Sequence, residues 1–180
     1  MKRLLLLLVL TSTLLHAHAQ SRKTVETSTD ITMFVPAVAG AMTSIAKHDC
    51  EGFRQLIYSG AASVAAAYAL KYSIHKERPD GSDNHSFPSN HTGVAFMGAT
   101  FIGQRYGWKY SIPAYIVGGY TAWGRIHSKR HDIWDVLAGS AIGTGCALLI
   151  TSPFSRGHKL TLMPFTAAGQ GAGLHATMQF

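Results

Sequence analysis

Apolar residues along this chain are grouped into long windows, separated by short polar breaks. Each window is rich in small or aliphatic residues, carries no Asp, Glu, Lys or Arg, and is too long for an ordinary strand. The pattern therefore predicts an all-α fold, a helical bundle of about five core helices. The five windows are residues 31–46, 55–70, 91–104, 110–124 and 136–155.

The pattern changes after Pro153. Apolar residues there stand at alternate positions on both sides of a Gly-Gln-Gly sequence at 169–171, which is typical of two strands joined by a turn. We predict a C-terminal β-hairpin tail over residues 156–180. We expect it to pack on the helical body or against a symmetry mate, because one hairpin cannot close an outer-membrane barrel. The alternating residues are Leu160, Leu162, Leu174, Ala176, Met178 and Phe180.

Residues 1–19 have the order of a secretory signal peptide, with two basic residues, an apolar run and Ala-His-Ala before Gln20. The apolar run is short against the roughly 20 residues that a membrane span needs, so cleavage is favoured over a first transmembrane helix. The polar residues 20–30 predict a flexible N-terminal segment. One helical domain is then expected over residues 31–155.

The chain is basic, with a net charge of +7 that falls to +5 without Lys2 and Arg3. The excess is not gathered into a stripe with interleaved aromatic residues, and the chain is predicted to be exported, so we expect no nucleic-acid partner. Anionic lipid headgroups or phosphorylated substrates suit this charge better. Export also implies an oxidising compartment, in which the pairing of Cys50 and Cys146 stays open.

Two forms of the bundle fit the sequence, one embedded in a membrane and one soluble or peripheral. Only the window 136–155 is long enough to span a bilayer. Small residues at Gly139, Gly143 and Gly145 allow close helix approach in membranes and in soluble bundles alike. The mean hydropathy of +0.10 argues against a fully lipid-embedded chain.

The first polar break with candidate chemistry holds Lys71, Arg78 and Pro79. The Arg-Pro step disfavours helical backbone at Arg78, so its guanidinium leaves the chain at a fixed angle. A planar guanidinium binds two phosphate oxygens at once, and lysine adds a compact charge. Taken alone, the pattern also fits a basic helix end in solvent.

Ser89, Asn90 and His91 stand directly before an apolar helical run that begins at Thr92. A helix N-terminus offers unpaired N–H groups and the positive end of the helix dipole, which together bind anions. Ser89 adds a hydroxyl donor, and His91 can supply a proton. Ordinary capping of the helix is the alternative.

Arg125, His131 and Asp135 form the third group. The four-residue spacing of His131 and Asp135 predicts that they meet on one helix face, where the carboxylate would fix the tautomer of a nucleophilic or basic histidine. A structural His–Asp pair is one alternative. A metal site in which His127 joins the other two residues is another. We expect no metal, because the break at 124–130 turns His127 away.

Together and in order, these residues resemble the motifs of the type 2 phosphatidic acid phosphatase and vanadium haloperoxidase superfamily. Its pattern is Lys-x6-Arg-Pro, then Pro-Ser-Gly-His, then Ser-Arg-x5-His-x3-Asp. The chain keeps both internal spacings, and the resemblance spans roughly residues 31–152. The matching residues are Lys71, Arg78, Pro79, Pro88, Ser89, His91, Arg125, His131 and Asp135.

Two positions depart from the family pattern. Asn90 replaces the glycine of the second motif, and Gly124 replaces the serine of the third. Asn90 keeps a backbone N–H and tolerates unusual backbone angles, so we expect its phosphate contact to survive. Gly124 lacks the serine hydroxyl, which is expected to loosen the positioning of Arg125.

The resemblance implies a metal-independent phosphatase that needs no cofactor. His131 would attack phosphorus and become phosphohistidine, Asp135 would orient its ring, and His91 would protonate the departing oxygen. The phosphoryl oxygens would be held by Lys71, Arg78, Ser89, Arg125 and the backbone N–H of Asn90.

The expected substrate is a phosphate monoester or diphosphate on a lipid, met at a membrane surface or in the bilayer of the cell envelope. Phosphatidic acid, phosphatidylglycerol phosphate, polyprenyl diphosphate and lipid A are candidates. A small phosphomonoester would instead indicate a soluble periplasmic non-specific acid phosphatase. The same motifs also fit a vanadium haloperoxidase or a non-catalytic phospholipid-binding envelope protein. The oligomeric state stays open.

Overall fold

The computed structural model describes residues 22–154 in full and the backbone of residues 159–167 and 171–179. The predicted signal peptide, residues 1–19, lies outside the described residues. Within them the chain forms six helices and one antiparallel strand pair. The helices are α1 (Arg22–Thr32), α2 (Val35–Ala46), α3 (Cys50–Ser73), α4 (Asn90–Tyr106), α5 (Trp108–His127) and α6 (Ile133–Ile150).

Helix α4 lies at the centre of the bundle and contacts each of the other five helices. Its residues are small or apolar on most faces of the helix rather than along one stripe, as expected for a helix that its neighbours enclose. Ala99 and Phe101 are fully buried, and Met97 is nearly so. These residues pack against Leu56 of α3 and Ala147 of α6 to form the hydrophobic core.

The all-α prediction is confirmed for the helical part, and each of the five predicted windows coincides with one of the helices α2 to α6. Helix α3 starts before its window because Asp49 caps it, accepting a hydrogen bond from the Gly52 N–H at 2.8 Å. Helix α6 ends at Ile150, short of the predicted residue 155. Thr151 is extended there, and Pro153 cannot continue a helix.

The prediction of a flexible segment over residues 20–30 is wrong for the part that the structure describes. Helix α1 covers most of it, lies against α5, and buries Val25 and Thr29 completely. These two residues stand four apart, which is the spacing of one helix face. The helix was missed because its residues are mainly polar and no long apolar run marks it.

Helices α4 and α6 touch backbone to backbone. A Cβ atom at Gly143 would overlap the carbonyl oxygen of Gly93, and one at Gly139 would overlap the carbonyl oxygen of Ser89. Only glycine permits so close an approach. The expected close contact is therefore confirmed at Gly139 and Gly143, whereas a Cβ atom at Gly145 would meet open space.

Among the described residues, two segments are long and apolar enough to cross a membrane by length and composition. They are Arg22–Ala46, which comprises α1 and α2, and Ile133–Ile150, which is α6. Large apolar side chains also lie on the outside of the bundle, where Trp108 is 67% exposed and Leu149 is 89% exposed. Such a surface is better accommodated by lipid than by water, which indicates membrane association.

The strand pair follows the helical body. Strands β1 (Lys159–Ala167) and β2 (Gly171–Gln179) run antiparallel, with the first residue of β1 opposite the last residue of β2. The packing of this tail on the helical body or against a symmetry mate stays a prediction.

Replacing Gly143 by alanine should force α6 away from α4, because the added methyl group meets a backbone carbonyl that cannot move aside. We expect a loss of roughly 1–3 kcal/mol in the free energy of unfolding. Gly145→Ala, on the same helix, is the matched control and should leave stability unchanged or raise it by up to about 1 kcal/mol. Thermal unfolding in detergent, followed by circular dichroism, measures both. Equal melting temperatures for the two variants would contradict the contact.

Candidate active site

The predicted site residues come together around one cavity of about 320 Å³. The last turns of α3 and α5, the first turn of α4, the loop before α6 and helix α1 all contribute to its wall. Six of the eight predicted site residues line it, and the other two, Ser89 and Asp135, lie outside the lining. The lining residues are Glu26, Asp30, Tyr68, Lys71, Arg78, Asn90, His91, Arg125, Arg130 and His131.

The first turns of α4 and α6 are tied together by their main chains. The N–H of Ser89 donates to the carbonyl oxygen of Asp135 at 2.9 Å. Gly139, one turn further along α6, lies directly against Ser89. The second and third motifs are therefore held at a fixed distance from each other by backbone contacts.

His131 lies in the loop before α6, so the expected placement of His131 and Asp135 on one helix face is wrong. Helix α6 begins after its N-cap residue Asp132, whose carboxylate accepts from the N–H of Asp135 at 3.0 Å. Nδ1 of His131 nevertheless lies 3.5 Å from Oδ2 of Asp135. Both residues are buried, at 3% and 0% exposure. Because Nδ1 faces the carboxylate, Nε2 is the nitrogen left for the cavity.

Arg125 and His91 share an acidic partner from α1. Oδ1 of Asp30 lies 2.8 Å from Nη1 of Arg125 and 2.9 Å from Nε2 of His91. Arg125 also donates to Oγ1 of Thr29 at 3.3 Å, while its buried Nε has no partner among the described residues. One carboxylate oxygen thus sits between two donors in a position that would suit a phosphoryl oxygen.

Lys71 and Arg78 reach the cavity from the end of α3 and from the irregular segment between α3 and α4. Nζ of Lys71 donates to the carbonyl oxygens of His85 at 2.7 Å and Pro88 at 3.1 Å. Nε of Arg78 donates to Asp83 at 2.8 Å within the same segment. Both cations are therefore held in place by this segment while they line the cavity.

Ser89 and Asn90 differ in their placement. Ser89 is the fully buried N-cap of α4, and its Oγ lies 3.1 Å from Oγ1 of Thr92. Its hydroxyl is therefore committed to Thr92 rather than turned to the cavity. Asn90 lines the cavity, and its Oδ1 is buried without a hydrogen-bond partner in residues 22–154. The N-terminus of α4 thus meets the cavity through Asn90.

The presence of glycine at position 124 is explained by α1, the helix that the sequence pattern did not reveal. A Cβ atom at Gly124 would overlap Cγ2 of Thr29 and lie 3.1 Å from Cγ1 of Val25. The serine of the family pattern has no room where α1 crosses α5. The expectation that Gly124 loosens Arg125 is wrong, because Thr29 and Asp30 hold the guanidinium.

Both histidines of the cavity are neutral at pH 7 in the free protein. Burial, reinforced by the charge of Arg125, lowers the pKa of His91 to about 4. Burial also lowers the pKa of His131, and the hydrogen bond to Asp135 offsets only part of this effect. A neutral imidazole offers the lone pair that a nucleophile or base needs. A phosphate dianion bound beside His91 would raise its pKa.

Sequence reasoning missed two residues behind His131. Nζ of Lys76 donates to Oδ1 of Asp135 at 2.7 Å, and Oγ of Ser86 donates to Oδ2. No spacing rule connects either residue with Asp135, because the segment between α3 and α4 is irregular. Only the folded chain brings the three together.

Two acidic residues on α1 were also missed. Asp30 binds Arg125 and His91, and Oε1 of Glu26 lies 3.2 Å from Nε of Arg130. Their i, i+4 spacing puts both acids on one face of a helix, and this is the signal that could have revealed them.

The alternative metal site is not assembled. No group of three or more His, Cys, Asp or Glu side chains that could hold a metal ion occurs among the described residues. The ring of His127 is exposed and stacks on that of Trp123, with centroids 5.0 Å apart. Cys50 and Cys146 are both free thiols.

The family model of the PAP2 superfamily matches residues 52–157, more than half of the chain. A lipid A 4'-phosphatase of Helicobacter pylori is 32% identical over 136 residues, which cover 69% of this chain and 68% of that protein. A lipid A 1-phosphatase of Porphyromonas gingivalis is 44% identical over 78 residues, which cover 42% of this chain but 18% of that protein. Helix α1 lies outside the family match.

Two solved structures share the fold. The crystal structure of Aquifex aeolicus LpxE has a TM-score of 0.52 and 20% identity, covering 67% of this chain and 83% of that chain. A transmembrane PAP2 type phosphatidylglycerolphosphate phosphatase from Bacillus subtilis has a TM-score of 0.56 and 20% identity, covering 72% and 74%. The resemblance drawn from the three motifs is confirmed by these matches: the chain belongs to the PAP2 superfamily and is a phosphoric ester hydrolase.

Proposed function

We propose that this protein removes a phosphate group from a phosphorylated lipid of the lipid A type, through a phosphohistidine intermediate on His131. The observation that carries the proposal is the convergence of His91, His131 and three motif cations on one cavity. The similarity to two lipid A phosphatases, at 32% and 44% identity, supports the substrate class.

Lys71, Arg78 and Arg125 form the proposed phosphate clamp. Each lines the cavity, and each has a partner that fixes its position in the free protein. Cations held in place before the substrate arrives stabilise developing charge without reorganisation. The N–H groups at the start of α4, beside Asn90, add partial positive charge. Ser89 ties the start of α4, which carries Asn90 and His91, to Asp135 through its main-chain N–H.

The proposed reaction has two steps. Nε2 of His131 attacks phosphorus while the bond to the leaving oxygen breaks, and His91 gives that oxygen a proton. Asp135 stabilises the charge that develops on the ring of His131. Water then attacks the phosphohistidine with His91 as its base, which releases inorganic phosphate and restores both histidines.

We propose that the reaction takes place in the cell envelope, on the periplasmic side of a membrane. The signal-peptide order of residues 1–19 supports export, and the two segments long enough to cross a bilayer support membrane attachment. We also propose a C-terminal β-hairpin over residues 156–180, supported by the apolar residues at alternate positions on both sides of the Gly-Gln-Gly sequence at 169–171.

The purified full-length protein should release inorganic phosphate from lipid A in detergent micelles, and His131→Ala should lower the rate by about 1,000-fold or more. His127→Ala, four positions earlier, is the matched control. Because His127 is exposed and stacks on Trp123, this variant should keep wild-type activity. A phosphate-release assay on lipid A, phosphatidic acid, phosphatidylglycerol phosphate, polyprenyl diphosphate and p-nitrophenyl phosphate ranks the substrates.

Each competing function predicts a different experimental result. Full activity of His131→Ala would reject the phosphohistidine. A clear preference for p-nitrophenyl phosphate would indicate a non-specific acid phosphatase, and vanadate-dependent oxidation of halide by peroxide would indicate a haloperoxidase. Binding of lipid A without phosphate release from any substrate would indicate a non-catalytic lipid-binding protein.

The pH profile of kcat/KM should be bell-shaped, with its maximum on the acid side of neutrality. The acid limb appears as His131 gains a proton and loses its lone pair. The basic limb appears as His91 loses its proton, and its pKa in the free protein is about 4. Bound phosphate raises that pKa, so the basic limb of kcat should lie at higher pH than that of kcat/KM. Initial rates over a pH series measure both, and flat profiles would refute this assignment.

Asp30→Asn should lower KM and tighten inhibition by inorganic phosphate, because a substrate must displace the Asp30 carboxylate from Arg125 and His91. Loss of a charge-assisted competitor predicts a change of about threefold to tenfold. Glu51→Gln, an exposed acid paired only with Arg54 and Gln55 among the described residues, is the control. A lower kcat with unchanged KM would show instead that Asp30 positions His91.

A further inference from the structure

Asp135 lies behind His131, the proposed nucleophile. Its carboxylate is wholly buried, and both of its oxygens accept hydrogen bonds. Oδ1 accepts from Nζ of Lys76 at 2.7 Å. Oδ2 accepts from Oγ of Ser86 and from the N–H of Asp132 at 3.1 Å, and it lies 3.5 Å from Nδ1 of His131. A buried carboxylate with each oxygen committed in this way is held in one orientation.

Lys76 and Ser86 belong to one small piece of main-chain structure. The N–H of Ser86 donates to the carbonyl oxygen of Lys76 at 2.9 Å, and Lys76 pairs with His85 in a parallel bridge. Two donors from distant parts of the segment therefore reach Asp135 side by side. Lys76 also binds Oδ2 of Asp132, the N-cap of α6, at 2.6 Å.

The charge of Lys76 is what the buried carboxylate requires. In the described part of the chain, Lys76 is the only lysine or arginine that forms a salt bridge with Asp135. Burial alone would lower the pKa of Lys76, but its hydrogen bonds to Asp132 and Asp135 raise the pKa overall, so the ammonium group stays charged. A buried carboxylate that loses its cation is strongly destabilised.

We propose that Lys76, together with Ser86, is a positioning residue for His131. By holding Oδ1 of Asp135, Lys76 leaves Oδ2 facing Nδ1 of His131, which fixes the tautomer that presents Nε2 to phosphorus. The inference rests on the proposed function, since that function makes His131 the nucleophile. Lys76 is not among the residues that line the cavity, so it acts through Asp135 and not on the phosphate group.

If Lys76 has this role, its loss should lower kcat and leave KM unchanged. Without Lys76, no described residue bonds Oδ1 of Asp135. The carboxylate then turns toward another donor or takes up a proton, so His131 is no longer held in the attacking form. The phosphate clamp is untouched, because Lys71, Arg78 and Arg125 take their partners from other residues. Substrate should therefore bind as before and react more slowly.

The test uses three variants of the full-length protein with lipid A in detergent micelles as substrate. Lys76→Met should lower kcat by about tenfold or more, because it removes the partner that orients Asp135 and through it His131. KM should stay within about twofold of the wild-type value. Lys76→Arg keeps the charge and should recover most of kcat. Lys109→Met, an exposed lysine at the start of α5, is the matched control and should leave both constants unchanged.

Ser86→Ala keeps the proposal testable if Lys76→Met lacks a wild-type melting curve. It removes the hydroxyl donor to Oδ2, leaves the donor N–H of Asp132 in place, and should also lower kcat at constant KM. Wild-type kcat in a folded Lys76→Met protein, or in Ser86→Ala when the lysine variant does not fold, would overturn the inference. So would a raised KM with unchanged kcat, which would make Lys76 a phosphate ligand.

Failure of the proposed function has a different signature. If the wild-type protein releases no phosphate from any substrate, the proposed function is rejected and this inference with it. If the wild-type protein is active, His131→Ala is inactive and Lys76→Met has wild-type kcat, only the role of Lys76 is rejected.

Discussion

The backbone contact between α4 and α6 is the constraint on which the site depends. Gly143 lies against Gly93, and Gly139 lies against Ser89, with no side chain between the two helices at these points. Their first turns are therefore close enough for the N–H of Ser89 to reach the carbonyl oxygen of Asp135 at 2.9 Å. This contact therefore brings His91 and His131, which belong to separate motifs, to the wall of the same cavity.

Two carboxylates near the histidines differ in burial, and this difference separates their roles. Asp135 is 0% exposed and bonded to Lys76 and Ser86, so it stays in place. Asp30 is 50% exposed and binds Arg125 and His91 with one oxygen, at the mouth of the cavity. A buried, fully bonded carboxylate suits the orientation of a nucleophile, whereas a half-exposed one can exchange with an incoming anion.

Much of the fold could be predicted from local pattern. The apolar windows located five helices, because a helix that is buried or faces lipid needs an uninterrupted apolar stretch. The same rule failed for α1, since a mainly polar helix can be held by as little as Val25 and Thr29 on one face. Helix α1 packs directly on Gly124 and leaves no room for a side chain there, which explains the departure from the family serine.

The sequence by itself determined the helical class, the family and most of the residues that line the cavity, because residue type and spacing are local properties that helices preserve. Only the tertiary structure decided which other groups form hydrogen bonds with the functional side chains. The hydrogen bonds from Lys76 and Ser86 to Asp135, and from Arg125 to Asp30, join segments far apart in sequence. Their mutual placement follows from glycine contacts and burial, which have meaning only once the chain is folded.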